Sequence, residues 1–79
     1  MTKAVYMERD DGGVRRMSCL SVVGRPDGFA VEEVVGTVDD AGRVGEITTV
    51  AEGLTQGQAE ERHAREVASR LSSGFAVAR

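Results

Sequence analysis

The stretch LTQGQAEERHAREVASRLSSG, residues 54–74, decides the fold because it predicts one amphipathic helix over residues 56–72. Thr55 and Gln58 have the spacing of a capping box, in which each side chain satisfies a backbone N–H of the other residue. Gly74 suits the left-handed position that commonly follows the last turn of a helix. Both ends of the helix are therefore marked by local residue chemistry.

One stripe of this helix is expected to face the rest of the protein. Leu54, just before the helix, and Ala59 have the spacing of a hydrophobic staple. The stripe itself consists of Ala59, His63, Ala64, Val67, Ala68 and Leu71. Because half of these residues are alanines, we expect the helix to lie close to the surface that it covers.

Three turn signals divide the residues before the helix, at Asp10–Gly13, Arg25–Gly28 and Asp39–Gly42. Each ends in Gly, which accepts the left-handed geometry that closes a three-residue hairpin loop, and each contains Asp, which supports a turn through its own backbone. In the second turn, Pro26 also fixes φ at the first position. The intervening segments are rich in Val, Thr, Ile and Met, and they predict strands over residues 3–9, 14–24, 29–38 and 43–50.

These elements predict a single domain of residues 1–79 in the α+β class. The expected fold is a four-stranded antiparallel meander followed by one C-terminal amphipathic helix packed on one sheet face. Residues 75–79 are expected to form either a short terminal edge strand or a tail folded back near Leu71.

A core of this size leaves a stability margin of only about 3–5 kcal/mol. Small domains usually add disulfides, a metal or a partner. Cys19 is the only cysteine, so an internal disulfide is impossible, and no ligand cluster for zinc is present. We therefore expect no metal or other cofactor, and we expect a protein partner or a second copy of the chain.

The N-terminus becomes charged before an apolar run of signal-peptide length develops, and no stretch approaches the roughly 20 apolar residues of a membrane span. These observations predict a cytoplasmic protein without membrane segments. The formal net charge of −3 argues weakly against a nucleic-acid ligand, because phosphate binding depends on clustered Lys and Arg.

The sheet register follows from the assumed loop length. With three-residue loops, Arg25 pairs with Phe29 and Asp39 pairs with Arg43, and the side chains then alternate between two faces. The face expected beneath the helix collects Val5, Met7, Met17, Cys19, Val23, Phe29, Val31, Val35 and Ile47. Ser21 and Glu33 are polar exceptions facing each other across strands, which either lie past the helix or reflect a bulge at Glu32-Glu33.

The opposite face is the expected interaction surface. It carries the apolar residues Leu20, Val22, Val34, Val38, Val44 and Val50. Because one helix covers only one face of such a sheet, several of these side chains should be exposed, and large exposed apolar patches usually mark interaction sites. The alternative is that scattered surface valines only reflect β propensity.

The meander places the first and third turns at the same end of the sheet. The acidic residues expected to gather there are Glu8, Asp10, Asp11, Asp39 and Asp40, with Arg9 and Arg43 partly offsetting their charge. Such a cluster is most often ordinary turn chemistry. The functional interpretation is an acidic end that meets a basic surface on a partner.

Two residues, His63 and Cys19, are candidates for a catalytic or metal-binding role. His63, with Glu60 one turn before it, could be half of a metal site or an acid/base pair, but no second histidine is present. Cys19 could be a nucleophile only in an accessible, electropositive setting. Packing roles are favoured for both residues, and no enzymatic activity is predicted. Arg15, Arg16 and Arg43 support an alternative, a nucleic-acid-binding protein, with Arg15-Arg16 touching phosphate from a strand.

In length, acidity and sheet-plus-helix organisation, the chain resembles small phage-encoded inhibitor proteins, including anti-CRISPR proteins. The resemblance implies a compact, non-enzymatic protein that occupies a surface on a complex in the host cell cytoplasm, where some such inhibitors present acidic groups in place of nucleic acid. It covers the whole chain but rests on organisation alone, so it transfers no functional residue. The predicted function is a protein-binding module or inhibitor.

Overall fold

A computed structural model of the chain describes residues 3–78. Its elements are β1 (Lys3–Asp11), β2 (Val14–Arg25), β3 (Gly28–Asp39), β4 (Gly42–Leu54), α1 (Gln56–Ser72) and β5 (Ala76–Val77). The strand order is β4-β3-β2-β1-β5, and all neighbouring strands are antiparallel. The predicted α+β meander, C-terminal helix and terminal strand are confirmed, while Arg79 of the predicted terminal segment lies outside the described residues.

The N-terminal end of α1 has the predicted capping box. The hydroxyl of Thr55 accepts a hydrogen bond from the backbone N–H of Gln58 at 3.1 Å, and the side-chain oxygen of Gln58 accepts one from the N–H of Thr55 at 3.0 Å. Two of the N–H groups that a helix end leaves without partners are thereby satisfied. No helix within residues 3–78 combines the length and the apolar composition that crossing a membrane requires.

The C-terminal end of α1 reverses sharply at Gly74, whose φ is +104°. The N–H of Gly74 donates to the carbonyl of Leu71 at 3.2 Å, and the N–H of Phe75 donates to the carbonyl of Arg70 at 3.1 Å. These two bonds form a Schellman motif, which needs a left-handed residue at this position. The reversal directs the chain back to the sheet, where β5 pairs with β1.

The three hairpin loops contain two residues each, so the predicted three-residue loops are wrong. The closing pairs are Asp11 with Val14, Arg25 with Gly28 and Asp39 with Gly42. Gly28 and Gly42 adopt positive φ values of 137° and 129° as the first residues of their strands. The glycines that predicted a third loop residue are thus already paired in the sheet.

A register shift of one residue exchanges the two faces of a strand. Leu20 therefore lies opposite Glu33, and Val22 lies opposite Val31, with all four side chains on the face beneath α1. The core beneath the helix contains Met7, Leu20, Val22, Val31 and Ala59, flanked by the half-buried Val5, Phe29, Val50, Leu54, Val67 and Phe75.

Several residues predicted for this core lie elsewhere. Met17, Cys19, Val23 and Ile47 are on the opposite face of the sheet, because the two-residue loops reverse the alternation. Val35 shares the helix side of β3 with Val31 but is 47% exposed, because it lies beyond the area that the helix covers. The predicted face is therefore correct for Val5 and Met7 of β1 and for Phe29, Val31 and Val35 of β3, although Val35 is not buried.

The observed register also separates Ser21 and Glu33, the two polar residues expected to face each other across strands. Ser21 pairs with Glu32 rather than with Glu33. The bulge predicted as one alternative at Glu32-Glu33 lies slightly earlier in the chain, where the pairing of β3 with β4 shifts on either side of Val31. The extra residues belong to β4, and Val50 and Ala51 are the half-buried residues at this point.

The helix is also rotated relative to the predicted stripe. Ala59 and His63 are buried as expected, whereas Ala64, Ala68 and Leu71 are exposed. The side chains that turn towards the sheet instead include the half-buried Arg62, Glu66 and Arg70. The physical reason is Glu33, which the observed register places beneath the helix and which requires a positively charged partner there.

The face without the helix is concave, and we call it the concave face; it carries Tyr6, Met17, Cys19, Val34 and Val38. Arg43 of β4 reaches Tyr6 of β1, with its guanidinium carbon 4.6 Å from the ring centroid and its Nε donating to the hydroxyl at 3.1 Å. Three strand spacings would separate these strands by about 14 Å in a flat sheet. The sheet therefore curls strongly at this end and buries Met17, which is 5% exposed.

Two glycines permit this curl where β3 and β4 approach each other closely. Gly36 and Gly45 are paired. A Cβ atom on Gly36 would lie 1.8 Å from the carbonyl oxygen of Val44, and one on Gly45 would lie 2.6 Å from Cε of Met17. Any side chain at Gly36 would therefore push the two strands apart.

We expect Gly36→Ala to lower the free energy of unfolding by about 2–3 kcal/mol, because the added methyl group overlaps backbone of the neighbouring strand. Gly24→Ala is the matched control, since a Cβ there meets only the Phe29 ring at 3.7 Å. Chemical denaturation of both variants provides the measurement. Equal losses in the two variants would show that close approach at Gly36 does not shape the sheet.

Candidate functional site

His63 is a structural residue in the interface between α1 and β2. Its side chain is 1% exposed, and its Nε2–H donates to the carbonyl oxygen of Leu20 at 2.8 Å. Glu60, the partner considered for acid/base or metal chemistry, instead accepts a hydrogen bond from Gln56 at 3.3 Å. Within residues 3–78, no three His, Cys, Asp or Glu side chains are grouped closely enough to hold a metal ion.

A second polar contact joins the C-terminal half of α1 to the sheet. Arg70 donates to both carboxylate oxygens of Glu33, at 3.0 and 2.8 Å, and Ser18 donates to Glu33 at 2.6 Å. Arg70 also donates to Glu66 at 2.9 Å, and Arg62 donates to Glu66 at 2.8 Å. The carboxylate of Glu33 is only 10% exposed, so its charge depends on these partners.

These contacts keep both carboxylates ionised. Burial raises the pKa of Glu33. The hydrogen bonds from Arg70 and Ser18 and the charge of Arg70 lower it by a larger amount, so the pKa lies below its usual value. Hydrogen bonding from Arg62, followed by that from Arg70, lowers the pKa of Glu66. A general acid or base needs a pKa near the working pH, and these shifts lead away from it.

The acidic residues of the first and third turns lie at one end of the sheet, as predicted, but arginines are interspersed among them. Asp10 pairs with Arg15 at 3.6 Å, and Asp11 pairs with Arg16 at 3.0 Å. In the third turn, the exposed Asp39 accepts a hydrogen bond from the N–H of Ala41 at 2.8 Å, and the exposed Asp40 stands beside it. This end therefore carries charges of both signs, and its binding to a basic partner stays a prediction.

The three arginines of the nucleic-acid alternative lie in separate environments. Arg15 and Arg43 are on the concave face, whereas the alternation of side chains places Arg16 on the helix side. Arg15 lies 3.7 Å from Glu8 in addition to its contact with Asp10, and Arg43 is stacked on Tyr6. The geometry does not bring these three residues into one basic surface.

The six apolar residues predicted to bind a partner differ in burial and in the face of the sheet on which they lie. Leu20 and Val22 are buried beneath α1, at 0% and 3% exposure, which corrects the expectation that they face solvent. Val34 and Val38 are half-buried on the concave face, and Val50 is half-buried beside the core. Val44 remains, and it is 72% exposed.

A surface cleft of about 320 Å³ lies beside the first half of α1. Its lining consists of Leu54 and the long polar side chains of Gln58, Glu61, Arg62 and Arg65. Sites for small molecules are usually lined mainly by apolar side chains with a few polar groups among them. The cleft has the opposite composition, and it is not the candidate site.

The strongest candidate site is the first part of β4. Gly42–Thr49 consists of eight consecutive exposed residues, and we call this segment the β4 edge. It includes Val44 and Ile47, at 72% and 68% exposure, and the neighbouring strand adds Val35 at 47%. Because β4 is the outermost strand, its far side has no strand neighbour among residues 3–78.

The β4 edge lacks two of the features that usually protect outer strands, although it carries the charged residues Arg43 and Glu46. Such strands tend to be short or to carry Lys or Pro, which discourage pairing with another chain. β4 has 13 residues and contains neither Lys nor Pro. This composition was visible in the sequence, but the position of β4 at the border of the sheet became informative only with the strand order.

We expect the stability of the protein to decrease in acid through Glu33 and Glu66. Their pKa values in the folded state lie below those of the unfolded chain, which are about 4.3, so folding holds them as carboxylates. This contribution is fully present above about pH 5 and is lost as the pH falls through the folded-state pKa values. Denaturation at successive pH values should show a decline beginning below about pH 5.

Glu33→Gln should be less stable than wild type at pH 7 and should show a flatter decline in acid. Glu46→Gln is the control, because Glu46 is an exposed residue of β4. If the Glu33→Gln profile ran parallel to that of wild type, the buried pair with Arg70 would not be the source of acid sensitivity.

Comparison with known proteins adds no identity to these observations. No protein-family model, curated protein or solved structure matches this chain. The resemblance to phage-encoded inhibitors therefore stays a prediction, and the function is inferred from residues and geometry alone.

Proposed function

We propose that this protein is a non-enzymatic protein-binding module that binds an extended segment of its partner along the β4 edge. The observation that carries the proposal is that β4 has no strand on its outer side within the described residues 3–78 and that this strand carries two highly exposed apolar side chains, Val44 and Ile47. Adding a strand to an exposed sheet edge is a common form of protein recognition.

Backbone groups and side chains have different roles in such binding. The backbone N–H and C=O groups of the β4 edge supply hydrogen bonds whatever the partner sequence. Side chains alternate, so Val44, Glu46 and Thr48 face the helix side while Arg43, Ile47 and Thr49 face the concave side. A fitting partner strand therefore has apolar side chains on both faces.

The surroundings of the β4 edge extend the binding surface. Val35 lies on the helix side of β3, diagonal to Val44, and enlarges the apolar area there. Asp39 and Asp40 lie immediately before β4 and would meet the same partner. This arrangement supports the combination of apolar and acidic contacts that the sequence predicts.

The roles of the reactive side chains also favour binding over catalysis. His63 is bonded to the backbone of β2, and Glu33 is bonded to Arg70 and Ser18. Each of these groups contributes to the attachment of α1 to the sheet. Inhibition of a host complex, as the resemblance to phage-encoded inhibitors implies, would follow from occupying one of its surfaces.

The test compares the double variant Val44→Lys/Ile47→Lys with wild type as bait for partners from the native host cells. Two charged side chains on the β4 edge should weaken partner binding at least tenfold. Both positions are exposed, so the circular dichroism spectrum and the melting temperature should change little.

Val14→Lys is the matched control, because Val14 is an apolar residue of β2 with 45% exposure that lies away from the β4 edge. The control should retain the partner at the wild-type level. Retention of the partner by the double variant would contradict the proposal.

A further inference from the structure

The two borders of the sheet are treated differently by the fold. At the β1 border, β5 pairs with Met7 and Glu8, and the N–H of Ala78 donates to the carbonyl of Tyr6 at 3.0 Å. At the opposite border, the β4 edge presents eight exposed residues without a strand neighbour among residues 3–78. A strand of similar length and shape is available on every other copy of the chain.

Symmetry restricts how two β4 strands can pair. Two copies related by a twofold axis perpendicular to the sheet bring their β4 strands together in antiparallel orientation. Residues directly opposite each other in an antiparallel pair share one face of the sheet. The axis must therefore pass through a residue that faces its own copy, and each residue of the β4 edge defines one possible register.

Charge and side-chain size discriminate among these registers. An axis at Glu46 places two carboxylates opposite each other, which is unfavourable. An axis at Gly45 brings no side chains together at the centre and sets Ile47 against Arg43, which is engaged with Tyr6. An axis at Thr48 sets Glu46 against Val50.

Among the registers centred on Val44 to Thr48, the one with its axis at Ile47 avoids these conflicts. It places the exposed Ile47 side chains of the two copies directly opposite each other on the concave side. Glu46 then lies opposite Thr48, and Gly45 lies opposite Thr49, so that no like charges are directly opposite each other, while the two Glu46 side chains are diagonal neighbours. An axis at Val44 would instead leave Ile47 opposite the turn before β4, without a strand partner.

The small core gives association a stabilising role. The buried apolar core of residues 3–78 comprises Met7, Met17, Leu20, Val22, Ala30, Val31 and Ala59, three of which lie in β2 alone. Domains of this size gain stability from oligomerisation when disulfides and metals are lacking. Pairing at the β4 edge would remove the 68% exposed Ile47 side chain from solvent and continue the sheet across both copies.

We infer that the β4 edge binds a second copy of this chain, with Ile47 facing Ile47 of the partner subunit in an antiparallel strand pair. The inference rests on the proposed function, since it names the partner of the same edge. The complementarity of the Ile47-centred register carries it, together with the contrast to the opposite border, where β5 pairs with Met7 and Glu8 of β1.

The first experiment is disulfide trapping in a Cys19→Ser background. Opposed residues in antiparallel strands have Cα atoms about 4.5–5.5 Å apart, which is within the range that a disulfide spans. Ile47→Cys should form covalent dimers under mild oxidation. Glu46→Cys alone should not, whereas a mixture of Glu46→Cys and Thr48→Cys proteins should form a mixed dimer.

The second experiment measures the association of the unmodified chain by sedimentation at micromolar concentrations. Wild type should dimerise, and Ile47→Lys should raise the dimer dissociation constant at least tenfold because two ammonium groups would face each other. Val14→Lys, away from the β4 edge, should leave the dissociation constant unchanged.

The outcomes separate this inference from the proposed function. A monomeric wild type whose capture of a different protein is abolished by Val44→Lys/Ile47→Lys would overturn the second copy as partner and leave the β4 edge as the binding site. A dimer that traps Glu46→Cys with itself would overturn the Ile47-centred register. A dimer unaffected by Ile47→Lys, with capture also unaffected, would overturn both.

Discussion

Helix α1 is attached to the sheet by two polar contacts on either side of Val67, in addition to the packing of Ala59 and Val67 on the apolar core, and the rest of the structure depends on this attachment. His63 bonds to the backbone of β2, and Arg70 forms a two-pronged ion pair with Glu33 of β3. Beneath the helix, Leu20, Val22 and Val31 are removed from solvent. Packing of an apolar sheet face against a helix is one of the arrangements that make a small sheet stable. Where α1 is attached therefore determines which residues form the core and which stay exposed.

The attachment covers only part of the helix side of the sheet. Arg70 lies over the row of Glu33, and the next residue of β3 on that side, Val35, is already 47% exposed. The concave face has no helix over it among residues 3–78. Its apolar residue Met17 is buried because the curl of the sheet brings Arg43 onto Tyr6. Neither face then offers a flat apolar surface, so the apolar exposure concentrates at the outer strand, and this leads to the β4 edge as the binding site.

Much of the fold could be predicted because its signals are local. The helix bounds, the capping box at Thr55 and the reversal at Gly74 depend on residues within one or two turns. The register could not be predicted, because a glycine such as Gly28 is compatible both with the last loop position and with the first strand position. That single-residue difference placed Leu20 and Val22 on the wrong face.

Other features depend on contacts between residues far apart in the chain. The rotation of α1 depends on Glu33, whose orientation was known only with the register. The curl depends on the close approach at Gly36 and on a contact between the first and fourth strands. Of the predicted binding residues, Val44 lies on the candidate site because both the register and the strand order leave it exposed.

The most direct test of the account is amide hydrogen exchange along Gly42–Thr49. In dilute protein, alternate amides should exchange rapidly, because every second N–H of an outer strand points away from its neighbour, and the others should be protected by β3. When the partner strand is bound, the rapid amides should become protected as well. Equal protection of all these amides in dilute, monomeric protein would contradict an open β4 edge.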